Sequence, residues 1–442
     1  MTVDELRKAI AEGTVDTVLL GFADMQGRFQ GKRLVGEHFA EEVIGHGAEA
    51  CNYLLAVDVE MNTVEGYTMS SWDTGYGDFE MKPDFDTLRP VPWHQGTAMC
   101  LADLQWADGS PVAASPRAIL RRQLERLAER GWKALAATEL EFIVFRDTYE
   151  QAWHKGYRDL EPGNLYNVDY SMLGTSRLEP LLGRIRREMA AAGLRVENSK
   201  GECNFGQHEI NFTYEDALGA ADTHTIYKNA AKEIASQEGM AITFMAKYDQ
   251  REGNSCHIHL SLRGEDDSPV FAEQPELFER FVAGQLACMR DLTLFLAPNV
   301  NSYKRFAEGS FAPTAVAWGL DNRTCSLRVV GHGPSLRVES RVAGGDVNPY
   351  LAIAAMIAAG LHGIDNELEL EPAFEGNAYT ADKPRVPATL RDARDLFAAS
   401  DVARGAFGEE VVAHYLNNAD VELRAFESAV TDWERVRGFE RL

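Results

Sequence analysis

The chain is poor in what would mark a secreted, membrane-spanning or nucleic-acid-binding protein. Its 442 residues hold only six cysteines, Cys51, Cys100, Cys203, Cys256, Cys288 and Cys325, and no two form a C-x-x-C pair. So sparse a spread excludes a disulfide scaffold and predicts reduced thiols in the cytoplasm. No run of about 18 apolar residues occurs, so no membrane span is expected. The opening MTVDELRKAIAEG has the pattern of a short amphipathic helix, not of a signal peptide. Positive charge is scarce: 44 Lys and Arg stand against 68 Asp and Glu, a formal net charge of -24. That balance repels phosphate backbones and argues against a nucleic-acid partner. Rossmann and Walker glycine signatures are missing, as are internal repeats and low-complexity tracts, which sets aside the ordinary dinucleotide and P-loop folds.

What is present is a globular composition, 45% hydrophobic and 25% charged, with length enough for two or three domains. Strand and helix patterns alternate. The first hundred residues combine a short helix, the apolar run TVDTVLLGFAD and GKRLVGEHF, which suits a small α+β domain. Gly75 to Trp93, with prolines at 83, 90 and 92, reads as an extended connector before a strand GTAMCLADL. A new unit opens at SPRAILRRQLERLAERG, where Ser115 suits an N-cap, Pro116 the first helical position and Gly131 the stop. Strands are then predicted at Ala137–Phe145, GQHEINFTY, GNSCHIHLSL, TCSLRVVG and SLRVESRV. Helices are predicted at Leu178–Ala192, DTHTIYKNAAKEIASQEG, PELFERFVAGQLACMRDLTLFL and NPYLAIAAMIAAGLHGI, with a charged helical tail over Leu390–Arg437.

The chemistry lies on the strands. In GNSCHIHLSL, alternation puts His257 and His259 on one face with Ser255 and Ser261, and Cys256, Ile258 and Leu260 on the other. Two imidazoles side by side suit either a hydrogen-bonded polar sheet face or a metal or nucleotide site. Glu139 and Glu141 share a face of TELEF. Glu202 and Glu209 lie seven apart in GECNFGQHE, so only a turn at Phe205-Gly206 would converge them. Glu339 sits between Arg337 and Arg341 on an alternating face that is either a solvated ion-pair surface or a phosphate-binding one. Five glutamates and up to two imidazoles are a donor set for Mg²⁺ or Mn²⁺. Two such cations with arginines are what phosphoryl transfer needs. The residues therefore point to an ATP- and metal-dependent enzyme built on one sheet face.

Taken together, the E-x-E strand, GECNFGQHE, H-x-H-x-S, NSYKR, NRTCSLR, RVESR and NPYLAIAAMIAAGL resemble, in order and spacing, the glutamine synthetase family over nearly the whole chain. The resemblance implies an α+β fold with a small N-terminal β-grasp-like domain, residues 1–110, and a larger catalytic α+β domain, residues 111–442. It implies that Glu141, Glu202 and Glu209 hold a first metal, and Glu139, His257 and Glu339 a second at the ATP phosphates, two or more Mg²⁺ or Mn²⁺ ions per site. His259, Ser261, Glu197, Tyr214, Arg328 and Arg337 correspond to ATP contacts. Gly253, Arg305, Arg323 and Arg341 correspond to glutamate contacts, Arg323 and Arg341 also serving catalysis. The implied reaction phosphorylates the γ-carboxylate of glutamate and passes the acyl group to an amine. The implied assembly is a homo-oligomer, a dodecamer of two stacked hexameric rings, with active sites between neighbouring subunits.

Three departures bear on the acceptor. The family's D-G-S-S, whose aspartate binds ammonium, becomes Asp58 followed by Val59, Glu60 and Met61. The flap glutamate is replaced by Phe311, with Glu308 nearby but displaced. The glutamate loop N-G-x-G-x-H becomes EGNSCH, with Glu252 for asparagine. A site that loses a carboxylate and gains a phenyl ring suits an alkylammonium better than bare ammonium. Asp58 and Glu308 are accordingly candidate catalytic carboxylates, and Asp58, Glu60 and Phe311 candidate amine contacts. The sequence thus predicts an ATP-dependent γ-glutamyl-amine ligase for ethanolamine, an alkylamine or a polyamine. The alternatives are a glutamine synthetase using ammonium and a non-catalytic member of the fold. Tyr379 reads as an ordinary loop tyrosine.

Overall fold

A computed structural model describes residues 1–442 and gathers fourteen strands into two sheets. The first contains β1 (Thr17–Ala23), β2 (Phe29–Val35), β3 (Ala48–Cys51), β4 (Asp78–Pro90) and β5 (Thr97–Gln105), in the order β2-β1-β5-β4-β3. β1 pairs antiparallel with β2 and parallel with β5. Its apolar run TVLLGFA is buried along almost its whole length, as a strand covered on both faces requires.

The segment expected as a connector after Gly75 is instead β4, a strand of 13 residues. Its prolines misled the pattern. Pro83 lies beyond the residues paired with β3, which end at Met81, and the ladder to β5 breaks between Asp84 and Arg89. Proline is tolerated where the ladder asks for few N–H donors.

The second sheet contains β6 (Trp132–Phe145), β7 (Val196–Gly201), β8 (Gln207–Phe212), β9 (Glu215–Asp216), β10 (Ala241–Thr243), β11 (Cys256–Gly264), β12 (Trp318–Leu320), β13 (Leu327–Val330) and β14 (Arg337–Ser340). Their order is β12-β13-β14-β11-β6-β8-β7, with β9 and β10 also on β6. Alternation divides the faces. Leu140, Phe142 and Val144 of β6 and Cys256, Ile258 and Leu260 of β11 are buried in the core. The helix Ala217–Gln237 packs behind them, His224 Nδ1 lying 3.1 Å from Thr138 Oγ1. That helix begins earlier than expected because Asp216 caps it, accepting from the Gly219 N–H at 2.9 Å.

The helices Pro275–Leu296 and Pro349–Asp365 pack closely, and a Cβ at Gly284 would stand 2.2 Å from the Ala359 carbonyl. The helix Pro116–Ala128 starts as predicted, although Ser115 makes no side-chain cap. Arg117 on this helix ties the first sheet to the helix Ala217–Gln237 behind the second. It pairs with Asp84 of β4 at 2.7 Å, Asp103 of β5 at 2.5 Å and Asp222 at 2.8 Å. Four helices run from Leu390 to Gly438. All six cysteines are free, and no helix is long and apolar enough to cross a membrane.

Candidate active site

Register, more than proximity in sequence, builds the site. Glu139 of β6 stands opposite His257 of β11, and Glu141 opposite Glu209 of β8. On the other side of β11, His259 stands opposite Glu339 of β14, which stands opposite Arg328 of β13. Five strands thus turn one row of carboxylates, imidazoles and guanidinium groups toward the same side. Glu202 joins them from the tight turn between β7 and β8, where its N–H donates to the Gln207 carbonyl at 2.9 Å. Gly206 permits that turn. Its φ is +75°, and a Cβ there would lie 2.5 Å from the Val144 carbonyl.

The side chains fall into two metal-ligand groups, Glu139–His257–Glu339 and Glu141–Glu202–Glu209, each with ligand atoms within 4.8 Å of one another. His257 Nδ1 lies 3.1 Å from Glu139 Oε2 and 3.7 Å from Glu339 Oε1, while its Nε2 is buried without a partner. His259 Nε2 lies 2.9 Å from Glu139 Oε1, and Arg337 Nε donates to His259 Nδ1 at 3.2 Å, so this imidazole is the Nε2–H tautomer.

The electrostatics are those of a site built for cations. Burial alone would raise Glu139, but the hydrogen bonds from His257 and His259 hold it well below the usual carboxylate range. Burial would likewise raise Glu339, and the charges of His257 and Arg341 outweigh it. For Glu141 the Ser255 N–H and the charges of Arg305 and Lys200 are too weak a relief. Burial and then the charge of Glu202 push it up to about 8. Burial and then the charge of Glu139 push Glu209 up as well. Carboxylates crowded together without enough positive charge are what a hard divalent cation corrects. The donor set and the orphaned His257 nitrogen both fit such ions.

Five of the six residues of the two groups line one cavity of about 910 Å³, and Glu339 is buried behind its wall. Arg323, Arg328, Arg341, Glu197, Gly253 and Phe311 also line it. Glu339 fixes two of the arginines, with Arg328 Nη1 at 2.7 Å and Arg341 in a shorter contact. Arg305 is not on the cavity wall. It is 1% exposed beneath Gly253, where a Cβ would meet Arg305 Cγ at 2.9 Å. Its Nη2 donates to the Ala343 carbonyl at 2.6 Å, while Nε and Nη1 stay buried without partners. Burial lowers its pKa to about 10.

Other predicted residues lie elsewhere. Tyr214 is 61% exposed and contributes only its carbonyl, to Arg195 at 2.7 Å. Ser261 is half-buried on β11, off the cavity wall, and Glu308 is exposed, also off it. Asp58 and Glu60 are not brought to this cavity. Asp58 caps its own loop, accepting from the Asn62 N–H at 2.8 Å, because the loop belongs to the first sheet. Sequence reasoning missed Asp169, Tyr170, Lys200 and Cys203, which all line the cavity; Asp169, Tyr170 and Cys203 lie on loops that no periodic pattern marks, and Lys200 lies on the short strand β7. Tyr379 braces the Phe311 loop, its hydroxyl donating to the Ala312 carbonyl at 3.0 Å.

Comparison with known proteins bears on the family and the fold. The family model "glutamine synthetase, catalytic domain" matches residues 113–437. The γ-glutamylethanolamide synthetase of Streptomyces coelicolor is 63% identical over 443 aligned residues, covering 100% of this chain and 96% of that one. The glutamate–isopropylamine ligase of Pseudomonas sp is 38% identical, covering 98% and 97%. The solved complex of GmaS with ADP superposes with a TM-score of 0.87 at 26% identity, covering 99% of this chain and 100% of that one.

Proposed function

The chain belongs to the glutamine synthetase family, and we propose that it is the ATP-dependent ligase that joins the γ-carboxylate of glutamate to an organic amine, ethanolamine first among them. The observation that carries this is two groups of three side chains able to hold metal ions, beside a cavity wall that presents Phe311. Intact phosphoryl-transfer machinery argues for catalysis. The phenyl ring argues for an acceptor with carbon to cover.

The γ-carboxylate attacks the γ-phosphorus of ATP, ADP leaves, and γ-glutamyl phosphate forms. Divalent cations held by the two ligand groups would neutralise the phosphate oxygens. Arg323, Arg328 and Arg341 offer guanidinium groups to the transferred phosphoryl group, Glu339 holding the last two in place. Glu197 on the cavity wall and the linked His259 and Arg337 are assigned to the nucleotide, whereas Tyr214 and Ser261, off the wall, would serve it only from its rim. Gly253 lies on the cavity wall directly over the buried Arg305, whose unpartnered N–H groups would suit the glutamate carboxylate only if the Gly253 segment moves aside. The protonated acceptor must lose a proton before its nitrogen attacks the acyl carbon and phosphate departs. Asp58 and Glu308 are the carboxylates assigned to this. Asp58 and Glu60 would reach the site of a neighbouring copy, in a ring assembly divided between units 1–110 and 111–442.

The test is phosphate release with ATP, glutamate, Mg²⁺ or Mn²⁺ and a panel of amines. The outcome expected is ethanolamine above other alkylamines and far above ammonium. Ammonium as the best acceptor would establish a glutamine synthetase instead, and no amine-dependent turnover a non-catalytic member.

A further inference from the structure

The loop that carries Asp58 and Glu60 is pinned by an ion pair beneath it. Asp24 and Arg28 stand at the two ends of the turn between β1 and β2. The Asp24 side chain is fully buried and accepts Arg28 Nε at 2.7 Å, the Arg28 N–H at 2.8 Å and the Gln26 N–H at 3.0 Å. Arg28 Nη1 in turn donates to the Val59 carbonyl at 2.7 Å. Val59 lies between Asp58 and Glu60, so one hydrogen bond fixes the chain between both carboxylates. The turn is itself held by the larger unit: Asn348 Nδ2 donates to the Asp24 carbonyl at 3.0 Å and the Met25 carbonyl at 3.1 Å. Like charge makes such a tether necessary. Burial and then the charges of Glu60 and Asp58 push the Glu422 carboxyl up, so three carboxylates crowd at this loop.

We propose that Arg28 is a positioning residue for the acceptor step, holding the Asp58–Glu60 loop in the place where it meets the cavity of a neighbouring copy. The inference rests on the assignment of Asp58 to take the proton of the amine. Arg28 is paired with Asp24, so it acts through geometry and does not repel a cationic acceptor. The planar guanidinium serves a carboxylate and a carbonyl at once from different nitrogens, whereas a lysine ammonium in its place stays with Asp24 and gives up Val59. The path from Asn348 through Asp24 and Arg28 to Val59 thus sets the loop against the larger unit by side-chain hydrogen bonds to backbone carbonyls at both ends.

The experiment uses the full-length enzyme and reads two steps apart. Phosphate release with ATP and glutamate alone follows formation of the acyl phosphate, and the rate added by ethanolamine follows its capture. Arg28→Ala is expected to lower the ethanolamine kcat/KM about 10- to 100-fold, as a displacement of about 1 Å at a reacting group does. Amine-free phosphate release and the KM for ATP and glutamate should keep their wild-type values. A merely structural role would lower both steps together, and that result, or unchanged ethanolamine kinetics, overturns the proposal. Arg28→Lys leaves a cation on Asp24 and should melt with wild type, yet lose ethanolamine kcat/KM as Arg28→Ala does. A wild-type melt with wild-type ethanolamine kinetics overturns the proposal even if Arg28→Ala does not fold. In an Asp58→Asn background, Arg28→Lys should have no further effect on the amine step, and a second loss of the same size overturns the proposal. Wild-type ethanolamine kinetics in Asp58→Asn alone would instead remove the assignment of Asp58 on which the inference rests.

Discussion

Glu139 and His257 are register partners across the β6–β11 ladder, with His257 Nδ1 3.1 Å from Glu139 Oε2. The pairing sets the spacing of one ligand group by backbone hydrogen bonds, before any ion binds. It also makes Glu139 the shared acceptor of both imidazoles. Glu139→Gln keeps an acceptor but removes the charge. It is expected to lower Mn²⁺ affinity by about 10- to 100-fold, the loss typical of altered ligand spheres. Calorimetric Mn²⁺ titration checks this, and wild-type affinity in the variant would remove Glu139 from the ligand set.

The second group predicts an opposite response of stability and metal binding. Glu141 is buried beside Glu202 and Glu209 and also accepts the Ser255 N–H at 2.7 Å. Glu141→Gln keeps an oxygen for that N–H and relieves like-charge repulsion. The metal-free variant is expected to melt at or above the wild-type temperature. Wild type at a Mn²⁺ concentration about a hundred times Kd should gain about 2.7 kcal/mol, and the variant little of it. Melting curves with Mn²⁺ and with a chelator test both halves.

The ligand strands were legible because alternation and apolar backing mark them: Cys256, Ile258 and Leu260 are buried behind His257 and His259. The turn at Gly206 was legible from the impossible seven-residue spacing of Glu202 and Glu209 on one strand. β4 was not, because its prolines carry the punctuation of a loop while tertiary pairing makes it a strand. Asp169 and Tyr170 were invisible for a different reason. They sit between elements, and only the fold brings them to Lys200 on β7. Asp58 was readable as a counterpart in the family pattern, but no property of the sequence says whose cavity it serves.

Arg117 predicts the coupling of the first sheet to the helix Ala217–Gln237. It is buried among Asp84, Asp103 and Asp222, and Tyr350 donates to Asp222 Oδ1 at 2.6 Å. Arg117→Ala leaves a buried carboxylate without its cation and is expected to cost about 3–5 kcal/mol. Adding Asp222→Asn should recover part of that loss in urea unfolding. Additive losses would mean the two residues are not coupled.

His414 predicts acid sensitivity remote from the cavity. It is buried against Tyr67, ring centres 4.5 Å apart, with Nε2 3.0 Å from Met25 Sδ. Burial holds its pKa down at about 4, against 6.5 for an ordinary imidazole. The unfolded chain therefore binds a proton that the folded chain refuses between these values. The stabilisation is complete above about pH 6.5 and is lost as pH falls toward 4, about 2 kcal/mol of it between pH 7 and pH 5. Urea midpoints at the two pH values should converge in His414→Gln by that amount relative to wild type. An identical pH dependence in both proteins would mean that His414 protonates freely in the fold.

Phe311 sets stability against selectivity within one residue. Its backbone lies in the left-handed region, φ 56°, and the residue is 56% exposed at the cavity. A bulky residue there is strained, where glycine is not. The loop is held from both sides, by the Tyr379 hydroxyl on the Ala312 carbonyl and by Arg341 Nη2 on the Phe311 carbonyl at 3.5 Å. Those contacts use the backbone and survive loss of the ring. Phe311→Gly should therefore fold at least as stably as wild type, with relief of about 1 kcal/mol of strain. The same change removes the apolar cover from the acceptor's carbons and should cut the ratio of ethanolamine to ammonium kcat/KM about tenfold. Thermal melts and paired kinetics read the two effects separately. A stable variant with unaltered selectivity would leave the strained phenylalanine without a part in choosing the amine.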